Sequence, residues 1–173
     1  MSAESAAKVL ITRLTGKHLT VATAESLTGG LLAGELVGVP GASLVFRGGI
    51  VSYHTQLKHT LLGVDEAQLA ATGPVDSTVA QQMADGARRA CAVDGVPADL
   101  GVATTGVAGP DPDPQTGQPA GTVYIGVATA QGARSVRLAL EGDRGAIRAA
   151  AVAAALHEAI NEVSSLELNP AGA

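Results

Sequence analysis

The sequence predicts an α/β fold: a three-layer α/β/α sandwich built on a mixed sheet. Short β-leaning apolar runs, such as 19–23 and 100–104, alternate with stretches of helical periodicity. Two further strand-like runs, 121–129 and 134–140, follow one another directly and read as a hairpin turning at Gln131-Gly132. Hydrophobic residues make up 46% and charged residues 16% of 173 positions, enough apolar content for one packed core. No repeat or linker divides the chain, so residues 1–173 read as a single domain with a tail frayed from about Ser164.

The elements follow in order. Ala6, Val9, Leu10 and Leu14 predict an amphipathic first helix over 3–17, ending near Gly16. Leu19–Thr23 is a short buried strand. Glu25-Ser26-Leu27-Thr28-Gly29-Gly30 is a polar turn that opens a helix over 31–37. Leu44–Phe46 and Gly49–Tyr53 read as one or two strands broken at Gly48-Gly49. Thr55 caps a short helix to Leu62, stopped by Gly63. After the Gly73-Pro74 loop, Asp76 or Ser77 caps a helix to about Cys91, with Val79, Met83, Ala87 and Ala90 on its apolar stripe. Leu100–Thr104 is a buried strand, and 111–119, rich in Pro, Gly and Asp, is an exposed loop. After the hairpin, an alanine-rich helix runs from about Asp143 to Val163.

Composition narrows the function. Phe46, Tyr53 and Tyr124 are the only aromatic residues, and there are 22 glycines, so the core is made of small side chains. Three rings do not make a stacking surface for nucleic acid. A net charge of −5 with 11 Lys and Arg does not make a basic face for a duplex. Cys91 is the single cysteine, which excludes an intrachain disulfide framework and a cysteine-based zinc site and fits a reducing cytoplasm. The start, MSAESAAKVLITRL, lacks the pattern of a signal peptide, and the apolar runs fall short of the ~20 residues of a membrane helix. A small-molecule partner is expected, with neither nucleic acid nor membrane. Glycine and alanine faces on the first and last helices permit a homo-oligomer as readily as packing within one subunit.

Four segments hold candidate chemistry. Ser26 stands at a strand-to-helix turn, where ligands of open α/β sheets bind. Thr28, Gly29 and Gly30 supply backbone N–H groups at the helix start, suited to a phosphate or an oxyanion. Ser26 or Thr28 reads equally as an ordinary helix cap. Lys58, with Tyr53 ahead of it, passes from a strand end into a helix turn. If buried, Lys58 deprotonates easily and serves as base to Ser26; if not, it is a solvated surface lysine. His54 and His59 are rival bases. Thr105, Gly106 and Gly109 in TTGVAGP form a loop able to wrap a phosphate or carboxamide, or simply a tight turn. Arg144, at the start of the last helix, is a phosphate clamp or a surface ion pair. Asp111 and Asp113 read as a solvated turn, and the histidines show no metal-ligand spacing, so neither metal nor cofactor is expected.

Taken together and in order, ESLTGG, GVPGASLVFRGGIVSYHTQLKHTLLGV, GPVDSTVAQQMADGAR, TTGVAGPDP, GTVYIGVA and GDRGAIR resemble the C-terminal domain of the competence/damage-inducible CinA family over about residues 5–160. The resemblance implies a stand-alone form of that domain. It also implies a metal-free nicotinamide-nucleotide amidase, which converts nicotinamide mononucleotide to nicotinic acid mononucleotide and ammonia. By motif, Ser26 would be the nucleophile and Lys58 the base, and Tyr53, Thr105 and Arg144 match further site positions. Leu27 stands where the family hexapeptide usually has Cys, and is expected to face the core beside the nucleophile. Gly73-Pro74-Val75-Asp76 replaces the usual GAVS. The rival readings are a nucleotide-sensing domain without catalysis and an amidase for another pyridine carboxamide.

Overall fold

The computed structural model describes residues 5–166. Its elements are α1 (Ala6–Lys17), β1 (Val21–Glu25), α2 (Leu31–Val37), a 3-10 turn at Ala42–Leu44, β2 (Phe46–Val51), α3 (Thr55–Leu62), α4 (Glu66–Thr72), α5 (Ser77–Ala90), β3 (Leu100–Gly106), β4 (Thr122–Thr129), β5 (Gly132–Ala139) and α6 (Arg144–Ser165). The sheet order is β2-β1-β3-β4-β5. β1 runs parallel to β2 and β3, whereas β4 and β5 add antiparallel, which makes the sheet mixed as expected. α1, α2 and α6 cover one face, and α3, α4 and α5 the other.

Several boundaries move for local physical reasons. α1 runs through Gly16 and ends at His18, whose left-handed backbone closes the last turn onto Leu14 and Thr15. Its buried stripe is Ala7, Leu10, Ile11 and Leu14, rotated from the expected Ala6 and Val9. Gly48 and Gly49 do not break β2. They pair with Ala22 and Thr23, and a Cβ on Gly49 would stand 2.6 Å from Thr23 Oγ1. His54, rather than Thr55, caps α3 through its ring nitrogen. α4 has no counterpart in the expected element order; its cap is Asp65, whose carboxylate accepts from Ala67 N. Ala90 is exposed, and α5 buries Val79, Ala80, Met83, Ala84 and Ala87. The hairpin turns at Ala130-Gln131, because Gly132 already pairs with Thr129. α6 continues through Ser164 to Ser165; the remainder of the expected frayed tail lies outside the described residues.

The two faces of the sheet are built differently. Toward α1 and α6 the strands present Val21, Leu100, Val102, Val123, Ile125 and Val127. Toward α5 they present Ala22, Ala24, Ala103 and Ala128, with Gly101 and Gly126 between them. A Cβ on Gly101 would sit 2.0 Å from Ala84 O, and one on Gly126 2.0 Å from Ala80 O. α5 therefore lies directly on backbone, the use to which this sequence puts its small residues. Among the described residues, no helix is long and apolar enough to cross a membrane.

β1 lies between β2 and β3, its two parallel neighbours. The chain leaves β1 over one face through α2 and returns from β2 over the other through α5. The C-terminal end of β1 is thus the switch point of the sheet, where an open crevice forms. Ser26 follows β1 directly, Tyr53 lies just past β2, and Gly106 ends β3.

Gly126→Ala is expected to destabilise the fold by about 1–3 kcal/mol or more, because the methyl group meets a helix backbone that cannot yield. Ile125→Val, on the opposite face, should cost only about 0.5–1.5 kcal/mol. Urea unfolding of the two variants checks the contrast.

Candidate active site

Lys58 lies on α3 one turn after its cap, and it is 0% exposed. Its Nζ donates to Ser26 Oγ at 3.0 Å and to Ser52 O at 2.7 Å. The Ser52 carbonyl, just past the end of β2, thus aims the amine at the serine. Among the described residues no carboxylate forms an ion pair with Lys58, and burial alone lowers its pKa to about 8 from the ordinary 10.5. A shift of that size corresponds to about 3 kcal/mol against the charged form. The neutral amine needed by a general base is therefore accessible near neutral pH.

The rival bases are engaged elsewhere. His54 Nδ1 accepts from Gln56 N, and His59 Nδ1 bonds Val64 O at 2.8 Å. Ser26 itself is 9% exposed and is anchored by its N–H to Thr104 O across β1 and β3. It opens onto a cleft of about 230 Å³ lined also by Leu27, Tyr53, Lys58, Thr105, Gly106, Gly109 and Arg144. Leu27 is buried in the α6-side core and forms part of the cleft wall, the double placement expected of it.

Thr105 Oγ1 donates to Pro74 O at 2.6 Å, which ties β3 to the loop before α5. β3 runs two residues further than expected, so Thr105 and Gly106 lie within the strand rather than in a loop after it; Thr104, in the strand as expected, turns to the opposite side, bonding Thr28 Oγ1 at 2.7 Å. Asp143 caps α6 and sets Arg144 at the cleft mouth. Arg144 NH2 donates to Tyr53 Oη at 3.0 Å and NH1 to Gly109 O at 2.9 Å. Three distant segments thereby meet at one guanidinium.

Thr28, Gly29 and Gly30 are placed differently from the expectation. None of them lines the cleft. Gly29 N donates to Ser26 O, and Gly30 N donates to the carboxylate of Glu25. Glu25 is 1% exposed; its two oxygens also accept from Thr28 Oγ1, Leu32 N and Ala33 N. The start of α2 is therefore already occupied by an internal anion, and the N–H groups of Gly29 and Gly30 cannot receive another.

Sequence reasoning passed over two residues here. Glu25 is the first letter of ESLTGG, and a carboxylate just ahead of a helix start is the cue that marks it. Arg148, in GDRGAIR, donates to Leu27 O at 2.9 Å and to Thr28 O at 3.0 Å. Its spacing of four from Arg144 puts both on one side of α6. Among the described residues, no three His, Cys, Asp or Glu side chains are grouped to hold a metal ion.

Fold and site together define an α/β protein with a buried serine–lysine pair at the switch point of its sheet. Residues 3–163 match the CinA C-terminal domain. The chain is 51% identical over 148 residues to a CinA-like protein of Frankia casuarinae, covering 86% of this chain and 33% of that protein. A CinA superfamily protein of Klebsiella pneumoniae superposes with a TM-score of 0.86 at 27% identity, over 93% of this chain and 97% of that one. The competence/damage inducible protein CihA of Agrobacterium tumefaciens superposes at 0.80 with 34% identity, over 93% and 99%. The chain belongs to the CinA C-terminal domain family. It spans about a third of the length of the curated relatives it matches.

Lys58→Met is expected to stabilise the fold near pH 7, where the buried amine is charged in both folded and unfolded chains. Between pH 8 and 10.5 the folded amine is neutral while the unfolded one is still protonated, so wild-type stability rises with pH. The advantage of the variant should shrink by about 3 kcal/mol across that window. Denaturant unfolding of both proteins at pH 7.5, 9 and 10.5 measures it.

Proposed function

We propose that this domain hydrolyses the carboxamide of nicotinamide mononucleotide, giving nicotinic acid mononucleotide and ammonia. The observation that carries the reading is the hydrogen bond between Lys58 Nζ and Ser26 Oγ, made by a fully buried amine. Neutral Lys58 takes the Ser26 proton as Oγ attacks the carboxamide carbon. The tetrahedral adduct collapses as Lys58 returns that proton to the leaving nitrogen, and ammonia departs. Water, deprotonated by Lys58, then attacks the Ser26 ester; the acid leaves and Ser26 regains its proton.

The cleft is small beside ligand pockets of ~300–1,000 Å³. It suits the pyridine ring and carboxamide, with the ribose phosphate extending to the mouth. Its lining includes the aliphatic side chains of Leu27, Val75, Val107 and Ala108 and a single aromatic ring, Tyr53, so the pyridine lies against small side chains rather than in an aromatic cage. Arg144 is the cation at the mouth, and its bonds to Tyr53 Oη and Gly109 O are ones a phosphate can exchange.

Ammonia release from nicotinamide mononucleotide by the purified protein is the direct test. Ser26→Ala should lose at least about a thousandfold in kcat while still binding the nucleotide. In the wild type, kcat/KM should rise with pH and level off above about 8, as Lys58 loses its proton. Arg144→Ala should raise KM for the nucleotide more than for its phosphate-free riboside. EDTA should leave the rate unchanged; a marked loss would contradict the mechanism, as would full activity in Ser26→Ala.

A further inference from the structure

The polar side chains that line the cleft are engaged with one another or with backbone, except one. Ser26 and Lys58 share a hydrogen bond, and Arg144 donates to Tyr53 Oη. Thr105 Oγ1 gives its proton to Pro74 O. Asp113 Oδ2 accepts from Thr116 N at 2.8 Å and from Thr116 Oγ1 at 2.7 Å. Its own N–H and C=O close the same turn onto Gln118 O and Gly117 N. The turn expected around 111–113 is therefore built by Asp113. Asp111 has no part in it. It lines the cleft and is exposed, and among the described residues no hydrogen bond or ion pair engages its carboxylate. Pro110 and Pro112 flank it and narrow its backbone freedom.

The chain fixes where along the cleft Asp111 stands. β3 ends at Gly106, and its Thr104 carbonyl accepts from Ser26 N, so the wall begins beside the nucleophile. Residues 107–109 carry that wall to the mouth, where Arg144 holds Gly109 O. Asp111 follows two residues later, at most about 7 Å of chain. With the carboxamide at Ser26 and the phosphate at Arg144, the ribose lies between them at the mouth. It brings two neighbouring hydroxyl donors to a rim whose other polar groups are occupied. A carboxylate, with two oxygens that only accept, matches such a diol. The positive ring lies deeper, against the aliphatic lining, where solvent and salt screen the field of an exposed carboxylate.

We propose that Asp111 is a specificity-determining residue that accepts hydrogen bonds from the 2′- and 3′-hydroxyls of the substrate ribose, so that the site takes ribosyl rather than deoxyribosyl nicotinamide nucleotides. The proposal rests on the nicotinamide-nucleotide reading above.

The test is calorimetric binding in the Ser26→Ala background, which prevents turnover, with nicotinamide mononucleotide and its 2′,3′-dideoxy analogue. With Asp111 in place, loss of both hydroxyls should weaken binding about 10- to 100-fold. Adding Asp111→Ala should weaken the ribonucleotide by a similar factor and leave the dideoxynucleotide within about twofold, so that the preference for ribose disappears. Asp111→Asn, which keeps an oxygen acceptor without the charge, should fall between; it carries the comparison if the alanine variant does not fold. Equal losses with the two nucleotides overturn the proposal, since the carboxylate would then act on the ring charge or on the loop. Unchanged binding in the folded variants overturns it too. If the wild type releases ammonia from nicotinamide mononucleotide but the dideoxynucleotide binds as tightly as the ribonucleotide, only the role of Asp111 falls. If the Asp111 variants lose the ribose preference but the wild type releases no ammonia, the amidase reading falls and the role of Asp111 stands. Failure of the ribonucleotide to bind overturns both.

Discussion

Glu25 ends the strand at the switch point of the sheet, and its carboxylate is removed from solvent. A buried carboxylate is tolerable only where donors surround it. Here one hydroxyl and three main-chain N–H groups do so, and those N–H groups are the ones a helix start leaves unpaired. One interaction therefore meets two needs: it satisfies α2 and it gives the charge a place. It also fixes the direction in which the chain leaves β1, and with it the position of Ser26. Arg148 grips the same turn from α6, and Thr104 ties it to β3. The nucleophile thus sits on a turn held by three separate elements, as a preorganised site requires.

The amine opposite is held with similar economy. Lys58 finds one acceptor in the serine hydroxyl and one in the Ser52 carbonyl and, among the described residues, no anion. A carboxylate partner would have kept it charged. Its absence, combined with full burial, is what brings the pKa down toward neutrality. Position and protonation state therefore come from the same placement on α3, one turn past the His54 cap.

Much of this was legible in the sequence, and the exceptions share a cause. The strands and most helices were readable because hydrophobic periodicity is local, and their caps were often visible as Asp or Gly at the ends. Ser26, Lys58, Tyr53, Thr105, Gly106, Gly109 and Arg144 were singled out, and the fold gathers all seven around one cleft. What failed were inferences that needed a partner from elsewhere in the chain. Gly29 and Gly30 looked like free donors because nothing local shows that Glu25 turns back onto them. Arg148 went unnoticed because its acceptors lie about 120 residues away. α4 was missed although Asp65 marks its start; with seven residues and a single buried one, Leu69, it has almost no periodicity to read.

The contrast between the two sheet faces bears on how this domain can change. On the α6 face, branched side chains of similar volume can be exchanged and repacked with little loss. On the α5 face the contact is helix backbone against Gly101 and Gly126, and the smallest residue that exists is already in place. Variation there has no direction in which to move, so a new specificity must arise from the cleft loops or from α6. The face with bulky side chains is the adaptable one, and the face with scarcely any is the fixed template.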